Sequence, residues 1–131
     1  SPEQDLVLKD ILLLVEDNII NQRLTKLILE KAGYNVITAN NGKEAVTLYK
    51  ERKDIKLVVM DIQMPVLDGL EATQQIRKYE EASKFSKKPI IALTAHAMKG
   101  DKEKCLEAGC DNYLSKPIMF DILISTIKNY I

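Results

Sequence analysis

Residues 11–17, ILLLVED, set five consecutive apolar side chains directly against two carboxylates. A run that short, with no alternation, is the mark of a strand buried on both faces. The pattern returns at Leu57–Met60, closed by Asp61, at Pro89–Leu93, closed by Thr94, and more weakly at Tyr113 and Leu114, followed by Lys116-Pro117. Between these runs the spacing turns helical. After Asp17 and Asn18, Ile20, Leu24, Leu27 and Ile28 form a stripe expected to face the core, ended by Gly33. Val36 and Ile37 make a short second strand, and Asn41, three before Glu44, opens a helix with Ala45, Leu48 and Tyr49 on its inner face. Asp68 with Glu71 opens a third helix through Leu70, Thr73 and Ile76, and residues 80–88 read as a long connection with Lys84, Lys87 and Lys88 in solvent. A fourth helix, about Lys99 to Ala108, has the weakest apolar stripe, ends at Gly109 and is therefore the one expected to shift. Phe120, Leu123, Ile124 and Ile127 build the last.

Five strand–helix units with short loops predict an α/β fold of the flavodoxin-like (βα)5 type, a three-layer sandwich around a parallel five-stranded sheet of order 2-1-3-4-5. In that order strands one and three are neighbours, so Glu16, Asp17 and Asp61 converge at the point where the strand order reverses, on the edge where open α/β sheets bind ligands. Thr94 and Lys116 end strands on the same edge. Carboxylates crowded together repel unless one is protonated or a cation intervenes. Mg2+ suits such a set, because it takes oxygen ligands and is typically held by one or two carboxylates plus phosphate oxygens. With the charge neutralised by metal and Lys116, the Asp61 carboxylate can attack phosphorus. Thr94 and the backbone N–H of Ala95 can then hold the phosphoryl oxygens.

The whole-chain properties narrow the field. At 131 residues the chain has the size of one domain, and its 19 basic and 19 acidic side chains give no net charge to draw it to nucleic acid or to a membrane. Cys105 and Cys110 fit neither a disulfide framework nor a paired metal motif, read as ordinary half-buried thiols and favour a reducing compartment. No apolar stretch approaches the ~20 residues of a membrane span. The expectation is a cytoplasmic protein, or the cytosolic part of a membrane-anchored one. Residues 1–9 are polar and aperiodic and begin at Ser1, so they read as a linker or N-terminal extension, from an excised domain or a processed terminus. The four methionines read as packing or loop residues.

Four motifs, VEDN at 15–18, VVMDIQMPVLDG at 58–69, ALTA at 92–95 and YLSKPI at 113–118, fall in order on the expected strand ends. Over about Asp10 to Tyr130 the chain resembles a receiver domain of the two-component response-regulator family, which makes 10–131 the receiver domain. The resemblance implies that Asp61 is the phosphoacceptor and that Asp17 and Asp61 bind Mg2+, or Mn2+ in its place, directly. It implies Glu16 acting on the metal through water, the Gln63 carbonyl as a further ligand, and Lys116 paired with the phosphoryl group. Thr94 and Tyr113 match the family's switch pair, the hydroxyl moving to the phosphoryl oxygens and the ring swinging inward, and the Lys116-Pro117 bond is often cis in relatives. A receiver catalyses its own phosphorylation and dephosphorylation without being a stand-alone enzyme. Its partners would be a histidine kinase or a histidine phosphotransfer protein, with homodimerisation through the face of helix four, strand five and helix five. The stretches MDIQMPVLDG and ALTAHAM are most similar to receivers of hybrid histidine kinases; a stand-alone response regulator is the alternative.

Two other functions share this topology. A flavin or nucleotide binder would need a glycine-rich loop after strand one, where VEDNIIN offers acidic side chains instead. A phosphate-independent docking module has no use for the acidic set and Lys116. His96, the single histidine, reads as an exposed loop residue, so a phosphohistidine donor must come from another protein or domain.

Overall fold

The structure is a computed structural model and describes residues 11–64, 67–95 and 100–131. Its elements alternate as expected: β1 (Ile11–Val15), α1 (Ile19–Lys31), β2 (Asn35–Ala39), α2 (Gly42–Glu51), β3 (Ile55–Asp61), α3 (Gly69–Ser83), β4 (Ile90–Thr94), α4 (Lys102–Ala108), β5 (Asn112–Ser115) and α5 (Phe120–Tyr130). The five strands form one parallel sheet in the order β2-β1-β3-β4-β5.

The continuous apolar runs are explained by the two cores that the sheet divides. Leu13, Val15, Val58, Met60, Ile90 and Ala92 point to the side that also buries Ala45, Tyr49, Ala72, Ile76 and Cys105 of α2, α3 and α4. Leu12, Leu14, Leu57, Val59, Ile91 and Leu93 point to the other, against Leu29 of α1 and Leu123 and Ile127 of α5. Successive strand residues face opposite sides, so a strand covered on both must be apolar at every position.

Side chains just before the helices fix their starts. Asn18 Oδ1 accepts from the Asn21 N–H at 3.0 Å, Asn41 Oδ1 from Glu44 N–H at 2.8 Å, and Asp68 Oδ1 from Glu71 N–H at 2.9 Å. Each satisfies an amide that the first helical turn leaves unpaired.

The structure corrects the sequence reading in several places. The stripe assigned to the inner face of α1 is largely outside: Ile20 is 73% exposed, and Leu24 and Leu27 are about half exposed, while Gln22, Thr25 and Leu29 are buried. The reason is local. The Gln22 amide donates to Glu16 O at 2.9 Å, to Ala39 O at 3.3 Å and to Asn40 Oδ1 at 3.0 Å, so a polar residue takes the inward position in order to satisfy carbonyls where β1 and β2 end. The connection placed at 80–88 is shorter than expected, since α3 continues to Ser83 and turns at Lys84 in the left-handed region, φ 56°. Glu80 belongs to the helix and is buried, accepting from Arg77 Nη1 at 2.9 Å, the Lys88 N–H at 3.1 Å and the Tyr49 hydroxyl. β3 begins two residues before Leu57, at Ile55, β2 spans Asn35–Ala39, and β4 omits Pro89 and includes Thr94. Cys105 and Cys110 are free thiols and both buried, not half-buried, and burial pushes Cys105 up to about 11. Residues 1–10, Pro65, His96, Met98 and Lys99, on which the linker, loop and helix-start expectations fell, lie outside the described residues.

Candidate functional site

Register gathers the site. Val15 lies opposite Met60, and Asp61 opposite Leu93, so Glu16, Asp17, Asp61 and Thr94 step out of three adjacent strands together. Thr94 in turn lies opposite Ser115, and the next residue, Lys116, donates its N–H to Thr94 O at 2.8 Å.

Asp61 sits at the centre, 1% exposed. Its Oδ1 accepts from Lys116 Nζ at 2.8 Å and from the Gln63 N–H at 3.2 Å. The lysine reaches it from the far side of β4, beside a Lys116-Pro117 peptide that is cis. Carboxylate oxygens of Glu16, Asp17 and Asp61 all lie within 4.8 Å of one another, Asp17 exposed and the other two buried. Glu16 Oε2 is buried with no hydrogen-bond partner among the described residues. Burial first, and then the Asp61 carboxylate beside it, push Glu16 up to about 8. One lysine against three carboxylates leaves excess negative charge in a small volume. Oxygen donors at this spacing, one of them buried and unpaired, are what a hard divalent cation takes.

On the β4 side, Thr94 is fully buried and its hydroxyl donates to Asp101 Oδ2 at 2.8 Å. The Gln63 amide spans the two groups at the end of β4: Nε2 donates to Thr94 Oγ1 at 3.2 Å and Oε1 accepts from the Ala95 N–H at 3.1 Å. Asp101 and this use of the Gln63 side chain were not foreseen, because nothing in the spacing of 61, 63, 94 and 101 links them before the fold is known. Tyr113 stands apart from the acidic cluster. It pairs with Ala92 across β4 and β5, is half-buried against the α2–α4 core, and carries Lys102 Nζ 5.8 Å from its ring centre.

The response regulator receiver domain family matches residues 12–128. The chain belongs to this family. Among curated relatives, this receiver is 47% identical over 127 residues to hybrid signal transduction histidine kinase I of Dictyostelium discoideum, covering 91% of this chain but only 7% of that protein. It is 42% identical over 119 residues to the polar-differentiation response regulator DivK of Brucella anthropi, covering 91% of this chain and 94% of that one. Two solved structures are similar throughout. The receiver domain of the Saccharomyces cerevisiae response regulator Ssk1, in complex with the histidine phosphotransfer protein Ypd1, superposes with a TM-score of 0.87 at 40% identity, covering 93% of this chain and 88% of that one. The receiver domain of sensor histidine kinase PA1611 from Pseudomonas aeruginosa, with magnesium in its active site cleft, gives 0.82 at 38% identity, with 93% and 97% covered. This is a two-component signal-transduction receiver, and receivers bind Mg2+ at an acidic site of the kind described above. No helix among the described residues is long and apolar enough to cross a membrane.

Proposed function

We propose that this receiver accepts a phosphoryl group from a phosphohistidine onto the Asp61 carboxylate, with Glu16, Asp17, Asp61 and the Gln63 carbonyl holding Mg2+. The observation that carries the reading is Asp61 itself: a buried carboxylate with one oxygen fixed by Lys116 at 2.8 Å, inside a trio of carboxylates. Mg2+ bound there would neutralise the carboxylates and take up charge from the transferring phosphoryl oxygens. In the transfer, an Asp61 oxygen forms the new bond to phosphorus as the phosphorus–nitrogen bond breaks, and the departing imidazole keeps the electron pair. Lys116, already a charge partner of Asp61, stays within reach of a phosphoryl oxygen. The Thr94 hydroxyl and the Ala95 N–H supply donors from the β4 side, so the chain contributes mainly position and compensating charge. Thr94 moving to the phosphoryl group and Tyr113 turning inward would carry the change to α4, β5 and α5, where Leu106, Met119 and Ile122 stand exposed for a partner or a second copy.

The donor is another protein or domain, since the one histidine of this chain is His96. A cleft of about 260 Å3, lined by Glu16, Leu24, Lys116, Pro117 and Phe120 among others, opens beside the acidic site. The exposed apolar residues Ile19, Ile20, Leu24 and Leu27 continue from it along α1. An apolar rim against a charged pocket suits a histidine phosphotransfer protein that presents its phosphohistidine to Asp61. Residence within a hybrid histidine kinase is supported by the likeness to the Dictyostelium kinase. The test is phosphotransfer from a purified, 32P-labelled histidine phosphotransfer protein in Mg2+. Label should pass to the wild type and not to Asp61→Asn; label on both would move the phosphoacceptor off Asp61, and label on neither while partner binding persists in Asp61→Ala would replace the reading with docking alone.

A further inference from the structure

A hydroxyl and a backbone amide each carry one proton, and in this structure both protons at the end of β4 are already engaged. The Thr94 hydroxyl gives its proton to Asp101 Oδ2 at 2.8 Å, and the Ala95 N–H gives its own to Gln63 Oε1 at 3.1 Å. Gln63 Nε2 closes the circuit on Thr94 Oγ1 at 3.2 Å. The groups that would bind phosphoryl oxygens therefore cannot do so until these bonds break. Asp101 reinforces the point. It sits immediately before α4 with helical backbone angles, φ −64° and ψ −32°, where Asn18, Asn41 and Asp68 before α1, α2 and α3 are extended, and its carboxylate makes no bond to the amides of the first turn. Its acceptor is committed to the site instead.

We infer that Asp101 and the Gln63 side chain form a latch that holds Thr94 and the Ala95 N–H in the resting arrangement, ties the start of α4 to the site, and opens when Asp61 is phosphorylated. The inference rests on the proposed role of Asp61 as phosphoacceptor. Asp101 and Gln63 act here as positioning residues. A phosphoryl group on Asp61 offers oxygens that compete for the Thr94 and Ala95 protons, and its negative charge repels the Asp101 carboxylate. Both effects favour the open latch. Once Thr94 turns away, the start of α4 loses the hydrogen bond by which Thr94 ties it to the end of β4. Opening is thus coupled to the surface that carries the signal.

Beryllofluoride in Mg2+, which stands in for a phosphoryl group on an aspartate, is the probe. Its binding to wild type, Asp101→Ala, Asp101→Asn, Thr94→Ala and the Thr94→Ala/Asp101→Ala double variant is followed by NMR, with the Ala95 amide resonance as a direct reporter. Asp101→Ala should bind about three- to tenfold more tightly than wild type, the worth of one net hydrogen bond released. Asp101→Asn, which keeps a side-chain carbonyl to accept from Thr94, should return most of the way to wild type. The double variant should match Thr94→Ala, because without the hydroxyl there is no latch for Asp101 to hold. In the fluoride-free protein, Gln63→Ala should shift the Ala95 amide. Binding by wild type with Asp101→Ala unchanged or weaker, or an Asp101 effect that persists without the Thr94 hydroxyl, would overturn the latch alone. Failure of the folded wild type to bind at all would overturn the phosphoacceptor reading beneath it.

Discussion

At the scale of single residues, the site is an electrostatic conflict held in place by the sheet. Three carboxylates share a few ångströms with one lysine, and Glu16 answers by keeping its proton up to about pH 8 when no cation is bound. In the unfolded chain the same group ionises near its ordinary value of 4.5, so the folded state binds this proton more tightly. Its contribution to stability is then fully present below about pH 4.5 and is lost as pH rises through about 8. In chelator, urea midpoints of the wild type should fall across that window and those of Glu16→Gln should fall less; equal slopes would mean that Glu16 does not carry the proton. Added Mg2+ favours the ionised carboxylates and should restore stability most at the upper end. Lys116 has the opposite task. With its Nζ 2.8 Å from Asp61 Oδ1, Lys116→Ala should slow phosphorylation by acetyl phosphate about a hundredfold or more while circular dichroism shows the fold intact. A rate within a factor of a few of wild type would remove the lysine from the chemistry.

At the scale of elements, the helices set how closely the site is built. A Cβ on Gly69, the first residue of α3, would lie 2.3 Å from the Asp61 carbonyl oxygen and 2.9 Å from Ile62 Cα. Neither backbone atom can yield without moving the strand end that carries Asp61. Gly69→Ala should therefore cost ~1–3 kcal/mol in denaturant titrations and lower the yield of labelled protein; a neutral result would show that the β3–α3 junction is looser than it stands. On α1, replacing the exposed Ile20 or Leu27 by Asp should leave stability within about 0.5 kcal/mol and labelling by acetyl phosphate unaltered, yet weaken transfer from a phosphotransfer protein. Much of this could be read from sequence, since an apolar run ending in a carboxylate, a hydroxyl or a lysine gives both the strand and its functional tip. The orientation of α1 could not, because Gln22 turns inward to satisfy carbonyls that exist only once β1 and β2 are paired. Glu80 read as loop for a similar reason: its partners Tyr49 and Lys88 lie outside its own helix. Asp101 was invisible because its meaning is a contact, not a spacing.

At the scale of the molecule, the two edges of the sheet do different work. At the edge away from Asp61, Arg77 fastens α3 to the end of α4 and to the start of β4, donating to Gly109 O at 2.9 Å, Glu80 Oε1 at 2.9 Å, Lys88 O at 2.8 Å and Asp111 Oδ2 at 2.7 Å. The same Asp111 oxygen accepts from the Ile90 N–H at 2.8 Å. One end of α4 is thus anchored by a largely buried arginine, and at the other the Thr94–Asp101 bond ties its start to the site. A helix clamped at one end and tied through the site at the other is suited to pivot when that tie breaks. Arg77→Ala leaves Glu80 buried without its cation and should destabilise the fold by ~2–4 kcal/mol in chemical denaturation, with the folded fraction still labelled on Asp61. A loss below ~0.5 kcal/mol would mean that the anchor is not structural. In the proposed function, all of this serves one event, the arrival of a phosphoryl group on the buried Asp61. Intact-mass analysis after incubation with acetyl phosphate, with and without Mg2+, on wild type and Asp61→Asn, tests that event directly. A single labile phosphoryl adduct that needs both the metal and Asp61 is the predicted result; an adduct that survives Asp61→Asn, or none on a folded wild type that also fails to bind beryllofluoride, would contradict it.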